Sequence, residues 1–350
     1  MGETTKARSP LLPDRRPIND FFVCDLLDAA PKGDRASMEH PVFSISTKPD
    51  YDVRRYEHNG NWIEINPSSR GLATVHDRDV LIFCISQLMA ALNDHKPVSQ
   101  KVRFKAYDLL IATNRQTGGE AYERLKDSLF RLSGTRIETN ITTGSHEVLD
   151  GFGLIEGYRI VRETRDGRMI EVEIKLSDWI FNAIEANEVL TIHRDYFRLR
   201  KPLERRLYEI ARKHCGSKAA WRIGLDLLQR KCGSKSTLFE FRRLVRAICE
   251  ADAQHDHMPD YAVSYDADAD QVIFTARGTV PGAKRHDSAA VGTLDADAYE
   301  AARKAAPGWD VYQLEADWRA WCAENAITAK RPAAHFLRFC KSRYETRGRP

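Results

Sequence analysis

Two spacings of apolar residues alternate along the chain, one of about 3.6 residues and one of about 2, and their order predicts its elements. Asp20 stands where a cap opens a short helix over residues 21–30, which Pro31 ends. Three β-rich runs follow at 42–47, 52–57 and 62–66. His58-Asn-Gly-Asn61 between the last two marks a hairpin, because Asn-Gly accepts positive φ at low cost. Val80, Leu81, Phe83, Cys84, Leu88 and Ala91 give a broad apolar face that predicts a helix over 77–92. Beyond it the pattern reads strand at 101–105, helix at 106–112, polar turn at 113–119 and helix at 120–132. Alternation returns at 135–142, 146–149, 153–161 and 169–176, with Arg165-Asp-Gly-Arg168 as a turn between the last two.

The second half repeats this order. It reads helix at 202–215, strand at 220–223, helix at 224–230, turn at 231–236, helix at 237–251, then a hairpin from 261–265 and 271–275 across an Asp-rich turn. Val102-Arg-Phe-Lys-Ala-Tyr-Asp-Leu-Leu110 parallels Trp221-Arg-Ile-Gly-Leu-Asp-Leu-Leu228. The next helices share an apolar phase, Leu125, Leu129 and Leu132 in one and Phe241, Val245 and Ile248 in the other, and Leu238 and Leu244 complete the expected core face of the second. A period of about 118 residues is too long for a solenoid and fits tandem domains. Helix–strand–helix–turn–helix–hairpin is the order of a winged helix. The expected fold is therefore α+β: two tandem winged-helix domains followed by a small C-terminal helical module. The expected divisions are a disordered arm (1–18, with three prolines), an N-terminal winged-helix domain (19–192), a C-terminal one (193–277), a linker (278–294) and a helical accessory module (295–350). In the last, helices are expected near 295–305, 311–325 and 333–344. Its aromatic stripes pack a core, with a surface for single-stranded DNA or a host protein as the lesser reading.

Charge changes this picture more than composition does. The 42% hydrophobic and 30% charged fractions are those of an ordinary globular protein, and the net charge is only +4. Its distribution is uneven. Residues 194–246 hold 16 Lys/Arg against 5 Asp/Glu, a net +11, and 247–270 hold 7 acids and no Lys or Arg. Such a block points to a polyanionic partner. A helix-turn-helix lays its second helix in the DNA major groove, where each base pair has its own donor and acceptor pattern. The second unit is thus the expected base reader, through Lys235, Ser236, Thr237, Arg242, Arg243 and Arg246. Backbone contacts are expected from Lys231 and Ser234, from Arg205, Arg206, Arg212 and Lys213 on the preceding helix, and from Lys101, Arg103, Arg115, Arg124, Lys126 and Arg131 in the first unit.

Other chemistry finds little support. No Gly-Lys dipeptide occurs, which removes a P-loop. His255-Asp-His257 has an acid where a metal-binding strand needs an apolar residue, and Asp266-Ala-Asp-Ala-Asp270 lacks the glycine and glutamate of a calcium loop. The seven cysteines show no C-x-x-C spacing and read as buried thiols. No cofactor, metal or enzymatic activity is expected. Neither a secretory apolar region nor a membrane-length apolar run occurs, so the expected location is the cytoplasm.

Several stretches resemble the replication initiator protein A family of bacterial plasmids. They are Ser69-Arg-Gly-Leu-Ala-Thr-Val-His-Asp-Arg-Asp79, Gly151-Phe-Gly-Leu-Ile-Glu156, Leu176-Ser-Asp-Trp179 and Tyr196-Phe-Arg-Leu-Arg-Lys-Pro-Leu-Glu-Arg-Arg-Leu-Tyr-Glu-Ile-Ala211. The likeness spans about residues 40–277. It implies a non-enzymatic initiator that binds repeated double-stranded origin sites (iterons), helps open the origin and recruits a host initiator and the replicative helicase. It also implies a homodimer in equilibrium with monomer, the dimer repressing its own gene and the first unit supplying the dimer surface. The competing readings are a dimeric transcriptional repressor on the same scaffold and, further off, a nicking enzyme using Tyr107 or Tyr122.

Overall fold

The computed structural model describes residues 9–15, 24–25, 42–58, 61–143, 146–162, 169–185, 190–216, 218–279, 294, 296–307, 309, 311–324, 329 and 331–347. They fall into two compact units, Met1–Gly282 and Ala283–Pro350.

The first unit opens with β1 (Cys24–Asp25), then β2 (Arg54–His58) and β3 (Asn61–Asn66), which pair across the expected hairpin from Arg54↔Ile65 to His58↔Asn61. α1 (Arg78–Asn93) follows. It is buried nearly all round: Val80 to Ile85 are six consecutive buried residues, so this is a core helix, wider in its apolar coverage than one face. Next come β4 (Lys101–Lys105), α2 (Ala106–Ala112) and α3 (Gly119–Gly134). In β4 the alternation is strict, with Val102 and Phe104 inward and Lys101, Arg103 and Lys105 outward. β5 (Arg136–Thr143) and β6 (His146–Gly153) extend the early hairpin into a four-stranded antiparallel sheet of order β2-β3-β5-β6. β7 (Ile155–Arg162) and β8 (Met169–Leu176) form a hairpin, and β8 pairs with β4 to give the order β4-β8-β7.

α4 (Asp178–Glu185), β9 (Leu190–Thr191) and a 3-10 turn (Arg194–Arg198) lead into α5 (Pro202–His214). Then come β10 (Ala220–Gly224), α6 (Leu225–Cys232), α7 (Leu238–His255), β11 (Tyr261–Asp266) and β12 (Gln271–Ala276). β10 pairs with β12, and the sheet order is β10-β12-β11. The element order therefore occurs twice, and so does the sheet order: first strand, last strand, middle strand. The architecture is mixed α+β.

Four features depart from the sequence reading. The expected helix over 21–30 is not formed at its centre, where Cys24 and Asp25 pair as a strand with Thr191 and Leu190; its remaining residues lie outside the described ones. Residues 42–47 form bends and a single bridge, Ser44↔Thr74, rather than a strand. Helix α4 was not expected; only two of its residues, Ile180 and Ile184, are fully buried, a signal too short for periodicity. Part of the arm expected to be disordered is docked. Leu12 N–H donates to the Arg198 carbonyl (2.9 Å), Arg198 Nε returns a bond to the Leu12 carbonyl (2.8 Å), and Asn114 binds both Pro13 O (3.2 Å) and Arg15 N–H (3.0 Å). Polar backbone without secondary structure has been given side-chain and main-chain partners instead. The turn at 165–168 and most of 278–294 lie outside the described residues.

Cys84, Cys215, Cys232, Cys249, Cys322 and Cys340 are free and buried. The second unit holds α8 (Ala296–Ala305), α9 (Val311–Glu324) and α10 (Pro332–Arg347) around Trp318, Phe336, Leu314 and Cys340. Trp318 Nε1 donates to His335 Nδ1 at 2.9 Å, giving the buried indole its polar partner. No helix among the described residues is long and apolar enough to cross a membrane.

Candidate nucleic-acid interface

α6 and α7 form the candidate site. α6 ends at Gly233, whose left-handed φ of 64° closes the helix, and the turn is tied by Gln229 Nε2 to Ser236 O (2.6 Å) and by a Ser234–Ser236 hydroxyl pair (2.9 Å). Thr237 caps α7, its hydroxyl accepting from Glu240 N–H at 3.2 Å. The inner face of α7 is Phe241, Val245, Ile248, Cys249 and Asp252. Leu244, expected in that core, is exposed on the helix, and Cys249, further along, is buried. Asp252 belongs to the frame: its carboxylate accepts from Met258 N (2.8 Å), Val263 N (2.9 Å) and Arg277 (2.9 Å), fixing the entry to the hairpin.

The outer face of α7 carries Phe239, Arg243 and Arg246, all exposed. Arg246 lies over the Tyr265 ring at 5.8 Å and makes no ion pair among the described residues. Arg243 forks onto Glu240 one turn back (2.9 and 2.6 Å), an exposed pair that is readily exchanged. Arg242 differs from both. Its Nε and a terminal nitrogen hold Asp270 of the hairpin turn in bidentate fashion (3.1 and 2.9 Å), and Nε also reaches Tyr265 Oη (3.2 Å). Tyr265 donates to the same carboxylate, and the hydrogen bonds from Arg242 and Tyr265 hold Asp270 below the usual carboxylate range. Arg242 thus braces the helix against the hairpin, its guanidinium engaged by Asp270 where a base contact was expected.

Lys235, at the start of the site, reaches across to the first half of the chain. Its ammonium bonds Asp50 (2.6 Å) and Asp52 (2.7 Å). Burial pushes the Asp50 carboxyl up, but the bonds from Lys235 and Arg54 (2.9 Å) outweigh this and hold it at about 2. The exposed lysine is therefore already paired with carboxylates where a base contact was expected.

The expected backbone-contacting set divides. Arg205, Arg206 and Arg212 are buried, as is Lys231, and a buried side chain does not reach a DNA phosphate. Arg205 donates to Asp79 (2.6 Å) and to the carbonyls of Leu199 and Phe197. Arg206 donates to the Lys231 carbonyl (3.0 and 2.8 Å) and to Glu209 (3.2 Å). Arg212 Nε caps the Thr191 carbonyl at 2.8 Å. Glu209 also accepts from Arg78 (2.9 Å) and Tyr196 Oη (2.7 Å). Two members of the first unit are used in the same way. Arg115 holds Asp79 (3.1 Å) and the His76 carbonyl (2.5 Å), and Arg131 grips Asp77 with two bonds of 2.7 Å. The physical reason is uniform: charge taken out of water requires a close, hydrogen-bonded partner, and α1 and α5 exchange two of these, Arg205 to Asp79 and Arg78 to Glu209. His76, in the middle of this cluster, has its imidazole pushed down to about 4 by burial first and then by the charge of Arg205.

Lys101, Arg103, Arg124 and Lys126 remain on the surface, the last three paired with Glu173, Glu120 (2.5 Å) and Glu123 (3.4 Å). Lys213 and Ser234 are half-buried. His257 is packed in the interior, with Nε2 3.3 Å from Glu204, and no group of three metal-ligating residues is assembled among the described residues.

Three elements of the site escaped the sequence reading. The Asp77-Arg78-Asp79 cluster carried a signal, three charges heading an apolar helix. Phe239 carried one as well, an aromatic in the first turn of α7 off the phase of its core. Asp50 and Asp52 carried none, since their partner is 183 to 185 residues away.

Comparison with known proteins adds the following. The model of the family described as Replication initiator protein A matches residues 32–263. A protein of Wigglesworthia glossinidia brevipalpis, described as "Putative replication protein", is 35% identical over 270 residues, covering 76% of this chain and 96% of the relative. Among solved structures, domains 2 and 3 of RctB superpose with a TM-score of 0.50 at 16% identity, over 68% of this chain and 95% of theirs, a likeness of fold.

Proposed function

Because the chain belongs to the replication initiator protein A family, with a role in replication initiation, we propose that it binds repeated double-stranded DNA sites at a plasmid origin by placing α7 in the major groove. In this reading each helix–strand–helix–helix–hairpin unit is a winged helix, residues 19–192 forming the first domain and 193–277 the second. The observation that carries it is the outer face of α7. It presents Arg243 and Arg246 from a helix whose opposite face is fully packed and whose hairpin is braced by the Arg242–Asp270 pair. An α-helix fits the major groove, about 12 Å wide, and arginine pairs bidentately with guanine there. In this reading Ser236 and Thr237 at the start of α7 meet base edges, and Lys235 joins them by exchanging its contacts with Asp50 and Asp52 for the DNA.

The protein acts by binding rather than by catalysis. Its first domain contributes backbone contact and a dimer surface. The monomer loads on iterons, promotes opening of the origin and recruits the host initiator and helicase, while the dimer represses its own gene in the cytoplasm. The test is a footprint of the purified protein on its own replication region at near-physiological salt. Evenly spaced protection over direct repeats, about one or two helical turns apart, is expected. Protection confined to an inverted repeat at a promoter marks a repressor instead, and a strand break marks a nicking enzyme.

A further inference from the structure

Phe239 is the most exposed large apolar residue among the described ones, at 75%. It stands in the first turn of α7, on a helix that otherwise buries its aromatics: Phe241, two residues on, is fully enclosed. A phenyl ring left in water forgoes the stabilisation that an apolar cover would give it. The neighbours of Phe239 say what that is. Arg243 lies four residues on and Arg246 seven, so all three share the outward face, with Ser236 three residues before. An apolar protein partner is poorly matched to a phenyl ring followed along the same helix face by two exposed guanidinium groups. A polyanion with an apolar group on its edge is well matched. In the major groove the one apolar group that base edges present is the 5-methyl of thymine.

We propose that Phe239 is a specificity-determining residue that packs on a thymine 5-methyl group within each repeat. The proposal rests on the reading of α7 as the groove helix and adds a base to it. Phe239 and Arg246 are two turns apart, about 10 Å along the helix, which corresponds to about three base-pair steps. The thymine contacted by Phe239 and the guanine contacted by Arg246 are therefore expected about two to four base pairs apart.

The experiment uses the full chain and a duplex carrying one footprinted repeat, in which each thymine in turn is replaced by deoxyuridine. That change removes the methyl and leaves the hydrogen-bonding edge intact. At one thymine the wild-type affinity is expected to fall about fourfold, the worth of one buried methyl-sized group. Phe239→Ala is expected to bind the unmodified repeat at least as weakly and to be indifferent to deoxyuridine at that position. Phe239→Leu, still apolar, is expected to keep part of the sensitivity. Because Phe239 packs against little, the variants fold, which a thermal melt checks. If wild type binds the repeat but no single deoxyuridine weakens it, or if Phe239→Ala keeps the full methyl sensitivity, the assignment is overturned while the groove reading stands. If wild type shows no preference for the repeat over unrelated duplex, both fall together.

Discussion

α5 and α7 are both arginine-bearing helices from the most basic stretch of the chain, yet they use their charge in opposite ways. α5 carries Arg205, Arg206 and Arg212, and all three are buried among carboxylates and carbonyls. α7 carries Arg242, Arg243 and Arg246, which sit at the surface and, where paired, pair with acids exposed to water. The difference does not lie in the arginines. α5 faces Asp79, brought from 126 residues away, and keeps Glu209 on its own surface, where Arg78 meets it. α7 faces solvent, and the acids that pair with its arginines lie in one turn of helix and one hairpin turn. A run of positive charge in a sequence is thus a count of cations and not yet a surface. Which of them a polyanion meets depends on where the chain returns its carboxylates.

Breaking the comparison on the α5 side should have the largest effect. Arg205→Ala leaves Asp79 in the interior with Arg115 as its remaining partner, and a loss of about 3–5 kcal/mol in folding stability is expected from chemical denaturation. A variant of unchanged stability with weakened DNA binding would place Arg205 back among the DNA contacts. On the α7 side, Arg246→Ala should leave the denaturation midpoint where it was and weaken binding to the repeat by about 1–3 kcal/mol. A shift in stability with no change in affinity would make α7 structural too. The smallest effect concerns the link between the halves. The Asp50 carboxyl titrates near 2 when folded, below its ordinary value, so its contribution to stability is present above about pH 4 and lost as the pH falls toward 2. Asp50→Asn should therefore show a shallower loss of stability than the parent between about pH 5 and pH 2, measured by urea unfolding at each pH. Curves of equal slope would mean that the bonds from Lys235 and Arg54 to this carboxylate contribute nothing.

The elements with long periodic runs were legible in the sequence. The bounds of β4 and α2 match the pattern to the residue, and α1, α3, α5 and α7 lie within a few residues of it, because each carries apolar residues at a regular spacing that must be buried. The same holds for Leu125, Leu129 and Leu132, all fully buried. What local pattern does not carry is partnership across distance. The docking of residues 9–15 depends on Arg198 and Asn114, and the inward turn of Arg205 depends on Asp79; in each case the deciding residue lies far along the chain. The site was accordingly legible as a helix and only partly as a residue set. The phase of α7 put Arg243 and Arg246 outside, but nothing near Arg242 foretold Asp270 as its holder, and Leu244 sits at the edge of the apolar arc, where phase alone does not decide.

The two helix pairs also differ in how they turn their corners. Both need a residue with left-handed backbone between the helices. The second uses Gly233, at φ 64°, for which that conformation is free of side-chain conflict. The first uses Asn114, at φ 55°, and braces it from outside, with its amide held by Pro13 and Arg15. The angle between α2 and α3 is in that sense held on loan from the amino-terminal segment, whereas α6 and α7 own theirs. Trimming the chain at residue 18, which its proline-rich composition invites, would remove a strut rather than a tassel.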